Sequence, residues 1–220
     1  MANHLDLEEQ EQLDELKHFW KQYGNAISWV LIAVLSAVAA WNGYQYWQRS
    51  QASQAAAMFD EVVKVSRTGD AEKADRAFAD MKDRFGSNIY TAQAGLLIAK
   101  SLYEGGKTDS AKATLKWVAE KSSDAGYASL AKLRLAGVLM DEKSYDEAMK
   151  AVDSVTAEQF AALSADRKGD ILMAQGKKPE AKAEYQKAYK LMDERTEYRR
   201  LVEVKLNALG VDTQSQEVSK

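Results

Sequence analysis

Two histidines, His4 and His18, and no cysteine leave this 220-residue chain little with which to build a reactive centre. Everything after His18 lacks an imidazole for general-base catalysis, nucleophile activation or metal ligation. The missing cysteines rule out a disulfide framework and a thiolate zinc site, and say nothing of compartment. Acid–base chemistry would have to come from the acidic pairs Asp141-Glu142, Asp146-Glu147 and Asp193-Glu194. Adjacent residues on a helix point about 100° apart, and these pairs sit beside basic residues at breaks in the helical pattern, so they read as solvated caps. Gly105-Gly106-Lys107-Thr108 has the residues of a phosphate loop. It lacks the first glycine at the required spacing and follows a helix instead of a strand, so it reads as an inter-helix turn. The expectation is of no catalytic residue, no cofactor, no metal and no enzyme.

Charge narrows the binding functions. Three of the 30 basic and six of the 33 acidic residues fall in the first 49, leaving 27 of each in the remainder. A nucleic-acid binder carries a basic excess gathered on one face. Alternating signs over a neutral domain read as solvated helix faces instead.

The stretch that organises the chain is residues 22–48, which hold no Asp, Glu, Lys, Arg or His and are bracketed by Lys21 and Arg49. About 20 apolar residues at 1.5 Å rise cross the hydrocarbon of a bilayer. Trp20, Tyr23 and Trp29 gather at one end, and Trp41, Tyr44, Tyr46 and Trp47 at the other, where amphipathic rings favour the headgroup layer. The core helix of a soluble protein has no reason to carry two aromatic girdles. A cleaved signal peptide begins with a short basic region, whereas acidic residues dominate the start here. Ahead of the span, Leu5, Leu13, Leu16, Phe19, Trp20 and Tyr23 mark an amphipathic helix from Leu5 to Tyr23, resting its aromatics on the lipid bilayer surface. Lys17 and Lys21 against Arg49 favour a cytoplasmic N-terminus, although a long following domain crosses largely regardless of local charge.

Beyond the span the pattern is all-α, with a single proline and few glycines. Breaks fall near residues 68–70, 86–88, 105–106, 142–144, 176–178 and 210. Asp70 reads as a cap, Ser144 with Glu147 and Thr156 with Gln159 as capping boxes, and Pro179 as a first-turn proline. Ala74, Ala111, Ala148 and Ala181 recur at steps of 37, 37 and 33 residues, close to the roughly 34-residue tetratricopeptide unit. Five residues earlier stand Gly69, Gly106, Lys143 and Gly176; four later, Phe78, Leu115, Val152 and Tyr185; twelve earlier, Val62, Ala99, Ala136 and Gly169. Gly95 and Lys132 stand where the repeat has a large aromatic, so the repeats are degenerate. The predicted architecture is a tail over 1–21, a single N-terminal transmembrane helix over 22–48, a tetratricopeptide-like helical solenoid over 49–210 and a disordered polar tail over 211–220. A last helix near Thr196 to Leu209, ended by Gly210, closes the stack. First helices of such a solenoid line a concave surface. In this register Phe59, Leu96, Tyr103, Leu133, Met140 and Met173 face it as a protein-binding groove, with self-packing the alternative.

The joint pattern of Glu9-Gln10-Glu11, Leu16-Lys17, Phe19-Trp20-Lys21 ahead of Gly24, one span, the aromatic exit from Trp41 to Trp47 and degenerate repeats resembles the YfgM-like family over nearly the whole chain. That resemblance implies a bacterial inner-membrane protein with a cytoplasmic N-terminus and a periplasmic repeat domain. It also implies association with the SecYEG translocon and a PpiD-type chaperone, and a part in handling newly translocated polypeptides. A membrane-bound negative regulator of an envelope stress response, acting through residues 1–21, is the competing expectation.

Overall fold

The computed structural model describes residues 7–213. The expected start of the tail helix at Leu5, His4, and residues 214–220 of the expected polar tail lie outside them. Among the described residues the structure is helical without strands: α1 Leu7–Arg67, α2 Ala71–Phe85, α3 Ile89–Glu104, α4 Thr108–Lys121, α5 Ala125–Asp141, α6 Tyr145–Asp153, a 3₁₀ turn Glu158–Phe160, α7 Ala161–Ala174, α8 Lys178–Leu191 and α9 Glu197–Ala208. Two compact units divide the chain, Met1–Gln51 and Ala52–Lys220.

In the first unit the described part of the expected tail, from Leu7, and the span are one uninterrupted helix. Trp20 lies over Gly24, where an added Cβ would meet the indole at 3.1 Å. This i, i+4 contact is a physical reason for a tryptophan and a glycine at that spacing. Phe19 packs on Tyr23 with ring centroids 5.1 Å apart. The helix is long and apolar enough to cross a membrane, and only 6% of its apolar window is buried within the protein. A soluble core helix would be mostly buried; here Trp29 and Leu35 are 68% and 66% exposed.

In the second unit, residues 52–67 of α1 precede α2, and the pairs α3/α4, α5/α6 and α7/α8 follow. The alanine column explains the pairing, for Ala74, Ala111, Ala148 and Ala181 are all fully buried. Their partners Phe78, Leu115, Val152 and Tyr185 are buried too. Where one side grows, the other shrinks: a Cβ on Gly169 would meet the Tyr185 ring at 2.4 Å, and one on Gly95 would strike Val118 at 2.4 Å and Phe78 at 2.9 Å. Gly95 therefore departs from the repeat's usual aromatic because Phe78 fills that space from the neighbouring helix. Lys132, the other departure, donates to the Ser154 carbonyl at 2.6 Å, at the negative end of α6. One apolar cluster runs from Ala55 through α6 to Ile171, and a second joins Ala181, Tyr185 and Ala188 to Val202 and Leu206 of α9.

The turn column is equally regular. Gly69, Gly106, Lys143 and Gly176 all have positive φ, with Lys143 at 62°. After α3, α5 and α7 the chain closes with the same pair of bonds, as in Ser144 N–H to Leu139 O and Lys143 N–H to Met140 O, both at 2.9 Å. This left-handed ending satisfies carbonyls the helix leaves open. Asp70 caps α2 by accepting from Lys73 N–H at 3.0 Å, and Pro179 occupies the first turn of α8. The two capping boxes do not form. Ser144 makes no side-chain cap, its backbone being committed to the tight turn, and Ala157, not Thr156, leads into the 3₁₀ turn. Breaks at residues 122–124, 154–157 and 192–196 join those expected. Val211 and Thr213, expected in the polar tail, are buried, and Thr213 donates to Glu203 at 2.9 Å.

Two substitutions check this packing in the full-length chain in detergent. Ala148→Leu forces extra methylenes into a closed helix crossing and should cost about 1–3 kcal/mol; an unchanged melting temperature would break the register. Lys143→Gly relieves a non-glycine left-handed residue and should raise the melting temperature by roughly 1–3 °C, whereas a decrease would mean that the lysine side chain stabilises the turn.

Candidate functional site: a charged groove between first helices

An open cavity of about 380 Å³ lies among α3, α4, α5 and α7. Ala99, Leu115, Gly137 and Val138 form its apolar floor, and Lys100, Tyr103, Arg134, Asp141 and Arg167 its polar walls. On α5 the lining stripe Arg134, Gly137, Val138, Asp141 follows steps of three and four, as one face of a helix must.

The groove's polar groups are held from neighbouring repeats. Tyr103 on α3 donates its hydroxyl to Asp141 Oδ2 on α5 at 2.5 Å, which holds the phenol above the usual tyrosine range. Arg134 reaches back from α5 to the Leu96 carbonyl of α3 at 3.0 Å. Arg167 meets Asp170 at 3.7 Å, and Lys100 meets Glu104 at the same distance. Behind the groove, Lys112 on α4 donates to both oxygens of Glu142 at 2.8 Å. That contact first, and Asp109 second, raise the lysine's pKa. The pair Asp141-Glu142, read from sequence as a solvated cap, is thus divided between two repeat-to-repeat contacts.

Of the residues expected in the groove, Tyr103 lines it. Leu96 and Leu133 are buried in the core. Phe59 packs on Tyr90 with centroids 5.9 Å apart; Met140 rests half-buried on the first cluster and Met173 on the second, which α9 completes. The groove stripe on α5 begins one residue after Leu133 and ends one after Met140, a rotation of about 100°. Lys100, Arg134, Gly137 and Arg167 escaped the sequence reading because it followed apolar columns. Following the same register through charged positions would have aligned Arg134 with Arg167.

A second polar cluster fixes α9. Asp166, 2% exposed, accepts from Lys205 Nζ at 2.7 and 2.9 Å and from the Tyr198 hydroxyl at 2.8 Å. Lys205 also donates to Asp170 at 2.6 Å, and Tyr185 donates to the same oxygen at 2.8 Å. Burial first, and these carboxylate contacts second, push both phenols far up. Among the described residues no group of three or more His, Asp or Glu could hold a metal ion.

A family model described as a tetratricopeptide repeat-like domain matches residues 17–211. A Neisseria gonorrhoeae protein named ancillary SecYEG translocon subunit is 33% identical, over 95% of this chain and 100% of its own length. This chain belongs to that family. An Escherichia coli protein of the same name is 27% identical over 92% of this chain and 97% of its own. A crystal structure of BtubC (BKLC) from P. vanneervenii overlays with TM-score 0.49 at 15% identity, over 73% of this chain and 82% of that one. The family membership bears out the resemblance read from the acidic start, the Phe19-Trp20-Lys21 motif and the repeats.

The phenols give a pH test. Tyr185 is buried, so its folded pKa stands above its unfolded value of about 10. Its contribution is fully present below pH 10 and is lost as pH rises beyond it, at roughly 1.4 kcal/mol per pH unit. Denaturant titrations above pH 10 should show stability falling more steeply for the unaltered chain than for Tyr185→Phe; equal slopes would mean that the phenol ionises freely in the folded state.

Proposed function

We propose that this protein is a membrane-anchored, non-enzymatic scaffold that associates with the Sec translocon and assists newly translocated polypeptides. The observation that carries the reading is end-to-end similarity to a protein named ancillary SecYEG translocon subunit, 33% identical over 95% of this chain. A relative that shared only the repeats would support a repeat fold and no more. The exposed apolar helix with its aromatic ends supplies the anchor. In this reading residues 1–21 lie in the cytoplasm and the repeat domain in the periplasm of a bacterial inner membrane, the orientation that the family resemblance implies and that Lys17 and Lys21 against Arg49 favour. The solenoid presents the groove around Tyr103 as a docking face for a membrane-anchored periplasmic chaperone of the PpiD type or for an emerging chain. Solenoids bind through such faces because every repeat contributes a first helix to one continuous surface.

The test is co-purification from inner membranes in mild detergent, probing for SecY. The full-length tagged chain should recover SecY, and a chain ending at Gln51 should lose most of it. Absence of SecY with the full-length chain would overturn the reading. Full retention by residues 1–51 would transfer the role to the span and tail, the arrangement a tail-acting regulator needs.

A further inference from the structure

The groove carries more information than its place in the solenoid. Three cations from three first helices, Lys100, Arg134 and Arg167, line one cavity whose one lining carboxylate, Asp141, already accepts from Tyr103. The remaining ion pairs in reach are long: Lys100 to Glu104 and Arg167 to Asp170 are each 3.7 Å, and Asp170 is shared with Lys205 and Tyr185. Arg134 spends one N–H on a main-chain carbonyl and, as a guanidinium, has further donors for a carboxylate.

Gly137 points the same way as the charges. It sits inside α5, where a glycine weakens a helix relative to alanine. Gly95 and Gly169 have a packing reason, since a Cβ at either would collide at 2.4 Å. Gly137 has none: its Cβ would meet Arg167 Nη1 alone, at 3.9 Å, an ordinary contact. The missing side chain keeps open the floor between the arginines, and glycine is the residue that lets another backbone approach closely.

We propose that this groove binds an extended acidic polypeptide segment, with carboxylates on Arg134, Arg167 and Lys100 and its backbone passing over Gly137. This rests on the reading of the groove as a docking face and names the chemistry of what docks there. The apolar floor of Ala99, Leu115 and Val138 takes small apolar side chains between the acids. A basic segment would meet three like charges against the one carboxylate of Asp141. The large domain is close to neutral as a whole, so the selection arises locally, within the roughly 8 Å over which charge is felt at physiological salt.

The test uses the full-length chain in detergent and short fluorescein-labelled peptides read by anisotropy. One alternates Glu with Ala and Leu, a second has every Glu replaced by Gln, and a third has Lys in those places. The acidic peptide should bind roughly tenfold or more tightly than the neutral one, weaken as salt rises, and outcompete the basic one entirely. Gly137→Leu should reduce its affinity by about tenfold with the melting temperature kept or raised. The Arg134→Gln, Arg167→Gln double variant should do the same, and Lys100→Gln, which touches no helix packing, substitutes if the double variant unfolds. Equal binding of acidic and neutral peptides, or unaltered binding by Gly137→Leu, overturns the proposal. SecY recovery measured on the same preparations separates the two readings: if it persists while peptides fail to discriminate, the inference falls alone; if it is absent from the unaltered chain, the scaffold reading falls.

Discussion

Close approach of paired helices is the constraint from which the repeat domain follows. Four alanines at equivalent positions are fully buried, and each places a single methyl where two helices cross. The crossing fixes the partner's size, so Phe78, Leu115, Val152 and Tyr185 vary only as far as the opposing position allows. Gly169 yields to the Tyr185 ring and Gly95 to Phe78 and Val118. Such interlocking makes the core intolerant of added volume, since close-packed interiors have no spare space to absorb it. It also frees the groove face of α5 from the task of packing the pair, which is why that face can carry arginine and aspartate.

The end of the stack meets a different requirement. A solenoid's last repeat exposes a face that an interior repeat would cover, and α9 covers it with Val202 and Leu206 against Ala181, Tyr185 and Ala188. Burying Asp166 there carries a desolvation penalty that only close partners can offset, and Lys205 with the Tyr198 hydroxyl supplies them within 3 Å. Replacing such a network by apolar residues is often neutral or stabilising, so its presence says more about orientation than about net stability. It fixes which face of α9 turns inward. Leu201 and Val204 remain on the outer side, 46% and 62% exposed.

The fold was legible in the sequence because its determinants are periodic. The alanine column, the positive-φ column and the span each rest on residue types that few other arrangements demand. Lys143 shows the strength of that register, for it takes the left-handed conformation of its glycine counterparts despite the strain. The groove was less legible. Apolar columns mark what is buried, and Leu96 and Leu133 accordingly lie inside, while the open face belongs to the residues one step further round each helix. Arg134 and Arg167 carry no signal of their own, because an isolated arginine between apolar neighbours reads the same whether it faces bulk water or a cleft. The failed caps at Ser144 and Thr156 have a similar origin: side-chain chemistry suited to capping was present, but the turn geometry had already committed the backbone.

The two kinds of polar contact in the repeat domain differ in what they leave available. Around Asp166 both carboxylates accept from close donors and Lys205 is held between them, and the phenols are driven far from ionisation, so the cluster is spent on holding α9. Around Asp141 the single carboxylate is occupied by a hydroxyl, which carries no charge to neutralise it or the cations nearby. Tyr103 thereby orients Asp141 without cancelling the groove's positive excess. Had Arg134 taken that carboxylate instead, its guanidinium would have been committed to an ion pair along α5 and been less free for another carboxylate. Because Arg134 binds a main-chain carbonyl, it is positioned by the fold yet keeps its charge uncompensated. A cation so placed loses little side-chain freedom when a carboxylate arrives, which is the condition under which a modest charged contact contributes net affinity.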